Sequence, residues 1–343
     1  MPFAFDERMH ARVPAIVDRV MSLVPMTETH LGESWLEATA RLVDFALAAN
    51  AMRRSALFVE YVGWLESVMR SRGAPLGQLT ALLQEISREA ETIGGPAASS
   101  VVGIVQEGLA RIGHDAQAVT VSTSVEENAT DSLSKTYLEL LLAAKRKDAV
   151  DLVNNALDQG LTLEDLYLRV LQPAMRKVGQ LWQLNEISVA QEHYVSAATQ
   201  LIISQLYPRL LDGPRNGKIM IAGCISSNLH EIGLRFLCDI FELRGWDTHF
   251  YGANTPTRAL HDVIRTRRPD VVAIGATLAS QLPHVASFIS EMRKDPVTAQ
   301  VRILVGGTAF WGNEDLWKEM GADGFASDAS TAVRVASELT GGN

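Results

Sequence analysis

Five short runs rich in β-branched and small apolar residues follow the turn-rich stretch DGPRNG: KIMIAGCI, WDTHFYG, DVVAIGAT, VRILVGG and GFASD. Amphipathic segments separate them. Strands that alternate with helical segments in this way are joined by crossovers, so the pattern predicts a parallel, doubly wound α/β sheet over 213–343. In such sheets a ligand lies beyond the carboxyl ends of the strands, where loops feed helix N-termini. That directs attention to residues 225–233, 275–283 and 306–311.

Upstream the period changes from strand to helix. Leu57, Phe58, Tyr61, Val62, Trp64, Leu65, Val68 and Met69 recur every three to four residues, and residues 1–113 read as an all-helical domain. From His114 to Ser132 the chain is polar (DAQAVTVSTSVEENATDS) and lacks the apolar surface to order itself, as expected of a linker over 114–132. Helical periodicity resumes in four runs, Tyr137 to Ala144, Val150 to Gln159, Leu163 to Leu184 and Val189 to Leu211, which predict a four-helix bundle over 133–212. A length of 343 residues suits such a division into several cores.

Composition excludes several classes of function. Cys224 and Cys238 are the two cysteines, so there is no disulfide framework and no Cys-x-x-Cys motif. With no basic, apolar leader and no apolar run of spanning length, neither secretion nor membrane insertion is expected, and a cytoplasmic location fits best. A formal net charge of −9 without a basic cluster speaks against nucleic-acid binding.

The first strand is followed by SSNLHEIG, which places His230 on a strand-to-helix loop at the end of the sheet. Imidazole is a good transition-metal ligand, and Asn228 two residues earlier can hold the other ring nitrogen. Taken alone, a loop histidine is in most proteins an ordinary surface residue. The run Asn228-Leu229-His230-Glu231-Ile232-Gly233, however, resembles the Asp-x-His-x-x-Gly motif of base-off, His-on cobalamin domains such as those of methionine synthase and the corrinoid proteins. The resemblance implies a flavodoxin-like sheet and His230 as the lower ligand of cobalt. It also implies that Gly233 lets a helix start close to the corrin, and that Gly306-Gly307 ends the fourth strand beside the nucleotide base. Two positions depart from the motif set. Gly275-Ala276-Thr277-Leu278 lacks the usual Ser-x-Leu serine, leaving Thr277 or Ser280 to supply a hydroxyl. Asn228 stands where an Asp would store a proton with the histidine, which points away from a methyl carrier that cycles through its most reduced cobalt.

Within the helical bundle, Trp182 is followed after nine residues by Glu192-His193 (LWQLNEISVAQEHY), and this spacing resembles the signature of the adenosylcobalamin light receptors. Trp182 closes one helix and Glu192-His193 open the next, so the three can converge across a helix corner, the ring stacking on an adenosyl group and the polar pair binding its hydroxyls. The alternative is a core tryptophan and a solvated helix start capped by Ser188. The receptors carry a His directly after the Trp, associated with replacing the upper ligand after photolysis; this chain has Gln183.

The segment ALFVEYVGWLESVMRSRGAPLGQLTALLQEI resembles globin-like sensor domains and the N-terminal domain of photocobilins, which pair cobalamin with noncovalent biliverdin. With no Cys before Cys224 a bilin here could not be thioether-linked, and Arg53, Arg54, Arg70 and Arg72 are the cations for its propionates; His10, His30 and His114 sit too near helix ends to ligate haem. Together these resemblances imply a photoreceptor rather than an enzyme, acting through a light-dependent homo-oligomer or a separate signalling partner. No P-loop, kinase or cyclase motif accompanies them. A corrinoid methyl carrier serving a methyltransferase is the alternative.

Overall fold

The helices begin and end where local chemistry stops the backbone ladder, and the computed structural model describes them over residues 3–24, 34–113, 129–210, 213–313 and 315–341. His30, His114 and most of the expected linker lie outside those residues. The chain divides into two compact units, Met1–Val125 with Gln180–Val189, and Glu126–Gly179 with Ala190–Asn343.

The first unit is helical: α1 (Phe3–His10), α2 (Val13–Leu23), α3 (Trp35–Met52), α4 (Ala56–Ser71), α5 (Leu76–Ile93) and α6 (Pro96–Arg111). Helix α3 opens with a capping box, in which Ser34 Oγ accepts from Glu37 N at 3.2 Å and Glu37 Oε2 accepts from Ser34 N at 2.8 Å. Leu42, Val43, Phe58, Val62, Leu83, Ile86, Val101 and Val105 are buried between the helices. The α4 positions that recur with helical period split as that period requires. Tyr61 is buried and stacks on Phe45, whereas Trp64, three residues on, is 37% exposed.

The second unit joins a helical layer to the sheet. Its helices are α7 (Ala129–Leu142), which opens inside the segment read as linker, α8 (Arg146–Asp158) and α9 (Leu163–Asp165). A π-helical stretch, Leu166–Leu171, then leads into α10 (Gln172–Gln183), which passes from one unit to the other and is followed by α11 (Val189–Leu206). The strands are β1 (Ile219–Cys224), β2 (Asp247–Phe250), β3 (Val271–Gly275), β4 (Arg302–Gly306) and β5 (Gly324–Ala326), alternating with α12 (Ile232–Leu243), α13 (Thr257–Arg267), α14 (Leu282–Lys294), α15 (Leu316–Met320) and α16 (Ala329–Leu339). All pairings are parallel and the order is β2-β1-β3-β4-β5, the doubly wound arrangement whose direction reverses between β1 and β3. The register brings Cys224 opposite Gly275, Gly275 opposite Gly306, and Gly306 opposite Ala326, so the strand ends form one level edge. One face of the sheet packs Met220, Ala222, Val271, Ala273 and Leu304 against Cys238, Phe241, Ala332 and Ala336. No helix among the described residues is long and apolar enough to cross a membrane.

Candidate functional site

The edge where the sheet reverses is built from three loops, and hydrogen bonds tie them together. After β1 the chain turns through Ser227, whose φ of 67° lies in the left-handed region that a serine rarely adopts. Asn254, after β2, holds that turn: its Oδ1 accepts from Ser227 N at 2.8 Å and its own N donates to Asn228 O at 2.9 Å. Strain of this kind persists where surrounding contacts over-determine it.

Asn228 is 1% exposed and works on the backbone rather than on an imidazole nitrogen as its position suggested. Its Nδ2 donates to Gly275 O at 2.8 Å and its Oδ1 accepts from His230 N at 3.0 Å. It thereby joins the β1 and β3 loops and sets the peptide that carries His230. Cys224 Sγ donates to His230 O at 3.7 Å from below. His230 itself is exposed, next to Leu229, which is 71% exposed. Glu231 faces two other elements. Gln200 Nε2 of α11 donates to its Oε1 at 2.9 Å, and Ala253 N, after β2, donates to its Oε2 at 2.9 Å. Ile232 and Gly233 open α12.

The β3 loop is organised by Gln281, which carried no signal at short range and was missed in the sequence. Buried at 1% exposure, its Oε1 accepts from Thr277 N at 2.8 Å and Leu278 N at 3.1 Å, while its Nε2 donates to Ser227 O at 3.3 Å. Thr277, Leu278 and Ser280 are therefore half-buried along the site's edge on a loop fastened to the His230 loop. A Cβ on Gly275 would meet Leu234 at ordinary contact distance, and one on Gly306 would lie 2.7 Å from Ala326 O. Gly307 has a φ of 104°, and a Cβ there would stand 2.1 Å from Ala276 O. Only glycine lets β4 turn so close beneath the β3 loop, where Ala276 N donates to Gly306 O at 3.0 Å. Thr308 Oγ1 adds a bond to Thr277 O at 2.7 Å.

A second missed cluster lies behind this edge. Tyr167, in the π-helical stretch, donates its hydroxyl to Asp239 Oδ2 of α12 at 2.8 Å and meets Phe236 edge-on, and Arg235 pairs with the same carboxylate at 3.3 Å. Burial, against the lowering influence of Tyr167 and Arg235, raises the Asp239 pKa above the usual carboxylate value; burial and the adjacent carboxylate raise that of Tyr167. π-helical turns inside α-helices are frequent at functional sites.

The residues expected above the corrin are distributed between the units. Glu192 and His193 belong to the second, where His193 Nδ1 pairs with Glu192 Oε2, Ser196 Oγ donates to Glu192 Oε1 at 2.9 Å, and the imidazole is 75% exposed. Trp182 groups with the first unit. Its ring stacks on Trp64 at 6.1 Å, the Arg72 guanidinium lies 4.9 Å above it, and Arg72 Nη2 donates to Trp182 O at 2.7 Å. Of the four arginines considered for a bilin, Arg72 is committed to this contact and Arg70 to buried Glu66 at 2.6 Å. The apolar cavity beside them, lined by Leu42, Leu65, Met69, Arg72, Leu79 and Leu82 among others, measures about 20 Å³. It has room for about one water, and a tetrapyrrole does not fit it.

The β1–β3 edge, in contrast, fits a corrinoid. Gly233 adopts an ordinary helical conformation, and a Cβ added to it would meet no atom within 4 Å. Glycine weakens a helix, so its smallness here serves nothing in the protein's own packing and leaves the space beside His230 open. Among the described residues no three His, Cys, Asp or Glu side chains gather as a metal cage.

A helical layer followed by a 2-1-3-4-5 sheet with a histidine on the first loop is compatible with a cobalamin-binding module, and the domain comparisons show that class. Residues 133–207 match one B12 binding domain family, and residues 218–335 match a second of the same description; the chain carries both domains. Dimethylamine corrinoid protein 1 of Methanosarcina acetivorans is 22% identical over 199 residues, covering 57% of this chain and 91% of that protein. The HTH-type transcriptional repressor CarA of Myxococcus xanthus is 31% identical over 160 residues, 46% of this chain and 53% of that protein. The monomethylamine corrinoid protein of Methanosarcina barkeri shares the fold, with a TM-score of 0.55 at 18% identity over 62% of this chain and all of that one.

Proposed function

We propose that the protein is a light sensor that binds adenosylcobalamin base-off, with His230 as the lower cobalt ligand and Trp182, Glu192 and His193 enclosing the adenosyl group. The observation that carries this reading is the Trp-x9-Glu-His spacing inside a B12 binding domain match, ahead of an exposed His230 whose peptide is fixed by buried Asn228. When bound, adenosylcobalamin supplies a cobalt–carbon bond that visible light breaks. Asn228 and Gln281 hold the loops in register, Gly233 and Gly307 keep the backbone low, and Glu231 ties α11 to the lower loops. Trp182 and the Glu192-His193 pair would have a changed environment once that bond was broken, and the output would be a change in self-assembly or in contact with a separate protein.

The similarity to dimethylamine corrinoid proteins favours a second reading, a corrinoid methyl carrier for a methyltransferase. One experiment separates them. Adenosylcobalamin, and biliverdin in parallel, are added to purified protein in the dark, unbound ligand is removed, and absorption is recorded before and after green light. A His-on, base-off spectrum that changes on illumination, and is absent from His230→Ala, supports the sensor; a far-red band would show that the first unit opens to admit a bilin. A bound spectrum indifferent to light refutes the sensor and puts the methyl carrier first.

A further inference from the structure

Helix α10 ends at Gln183, and like any helix it leaves its last carbonyls without intrahelical donors. The following turn supplies some of them, with Leu184 N, Glu186 N and Asn185 N donating to Gln180 O, Leu181 O and Trp182 O, and side chains at the end of α4 and just past it, Ser71 and Arg72, supply the rest. Arg72 Nη2 binds Trp182 O at 2.7 Å, Arg72 Nη1 binds Gln183 O at 3.0 Å, and Ser71 Oγ binds the same Gln183 O at 2.8 Å. The Gln183 side chain returns the contact, its Nε2 donating to Ser67 Oγ at 3.3 Å. A guanidinium is the cation best suited to this place: it offers two parallel donors, meets the negative end of the helix dipole, and lies flat over the Trp182 ring. Beyond it the rings of Trp64, Tyr61 and Phe45 form a continuous stack, with centroids 6.1, 5.8 and 3.6 Å apart from Trp182 inward, ending in the buried core at Phe45.

We infer that Arg72, with Ser67 and Ser71, is a positioning set through which the N-terminal helical unit holds Trp182 and reads its position. The inference rests on the proposed placement of Trp182 above the cofactor. Close-packed rings and a two-point cap respond to displacement by breaking or re-forming rather than by stretching, so a shift of Trp182 is passed to α4. Gln183 acquires a role on the same grounds. Where the light receptors have a histidine, this chain has an amide spent on α4, so the position serves the N-terminal unit.

The test is hydrogen exchange, followed by mass spectrometry, on the full chain without cobalamin and loaded with adenosylcobalamin in the dark, reading peptides that cover 61–72 and 180–189. Loading is expected to slow exchange of 61–72 at least threefold. Arg72→Ala should abolish that change while its corrin spectrum stays bound, and Arg72→Lys, which keeps the charge but not the paired donors, should recover less than half of it. Arg88→Ala, on α5, should behave as the parent protein. If Arg72→Ala fails to fold, Ser71→Ala, which removes one of the three donors, should reduce the effect by about a third or more. Unchanged exchange at 61–72 in a protein that shows bound corrin, or an unchanged response in the folded Arg72 and Ser71 variants, overturns the inference alone. Absence of corrin absorption refutes the functional reading, and the coupling with it.

Discussion

Gly233→Ala separates what the protein needs from what the cofactor needs. Position 233 is the second residue of α12, and a Cβ there meets nothing within 4 Å. In a helix interior alanine is favoured over glycine by about 1 kcal/mol; at the first turn roughly half of that applies, so the cofactor-free protein should gain about 0.5 kcal/mol and its sheet unit should melt ~1 to 2 °C higher. A corrin resting on the exposed His230 would occupy that same open space. Adding a methyl group to a close contact costs on the order of 1 to 3 kcal/mol, which corresponds to a dissociation constant raised roughly 5- to 150-fold. Thermal melts of the cofactor-free protein and equilibrium dialysis with adenosylcobalamin measure the two effects separately. A melting temperature lowered by more than about 2 °C would show that the space over α12 is not open, and an unchanged affinity would show that the corrin does not lie there.

Gly307→Ala places a Cβ 2.1 Å from Ala276 O at a φ of 104°, and should destabilise the sheet unit by about 3 kcal/mol or more in urea unfolding; a loss under about 1 kcal/mol would refute the close approach of β4 to the β3 loop. Both thiols are buried, and burial pushes Cys224 up to about 12 and Cys238 well above its ordinary value, so neither should react with a disulfide reagent at pH 8 until the chain is unfolded, when both should titrate. Asp239 has its folded pKa raised, so the folded state holds its proton more tightly than the unfolded one. Its stabilising contribution is present below the ordinary carboxylate pKa near 3.8 and is lost as pH rises through the folded value. Asp239→Asn, which cannot titrate, should therefore compare worst with the parent in acid and improve relative to it as pH rises; a difference independent of pH would rule this out.

Much was legible in one dimension because periodicity is a local property. The alternation of buried runs with amphipathic ones specified a parallel doubly wound sheet, and the structure has it in the order β2-β1-β3-β4-β5. The same runs placed His230 on the loop after the first strand, and the 3.6-residue period announced the helical layers ahead of it. What depends on side chains meeting across the fold was not legible. Asn228 stood two residues from His230, and its nearness in sequence suggested a bond to the ring; in the structure its buried amide spans from the His230 peptide to Gly275. Gln281 ties two loops fifty-odd positions apart, and Tyr167 meets Asp239 from another layer; hydrogen-bond partners at such separations leave no trace in spacing. Trp182 is the sharpest case. Its spacing to Glu192-His193 marked it as part of the cap, whereas the ring and guanidinium that meet it come from α4 and the residue just past it, more than a hundred residues earlier, because the last carbonyls of α10 accept further donors from whichever element the fold brings to them.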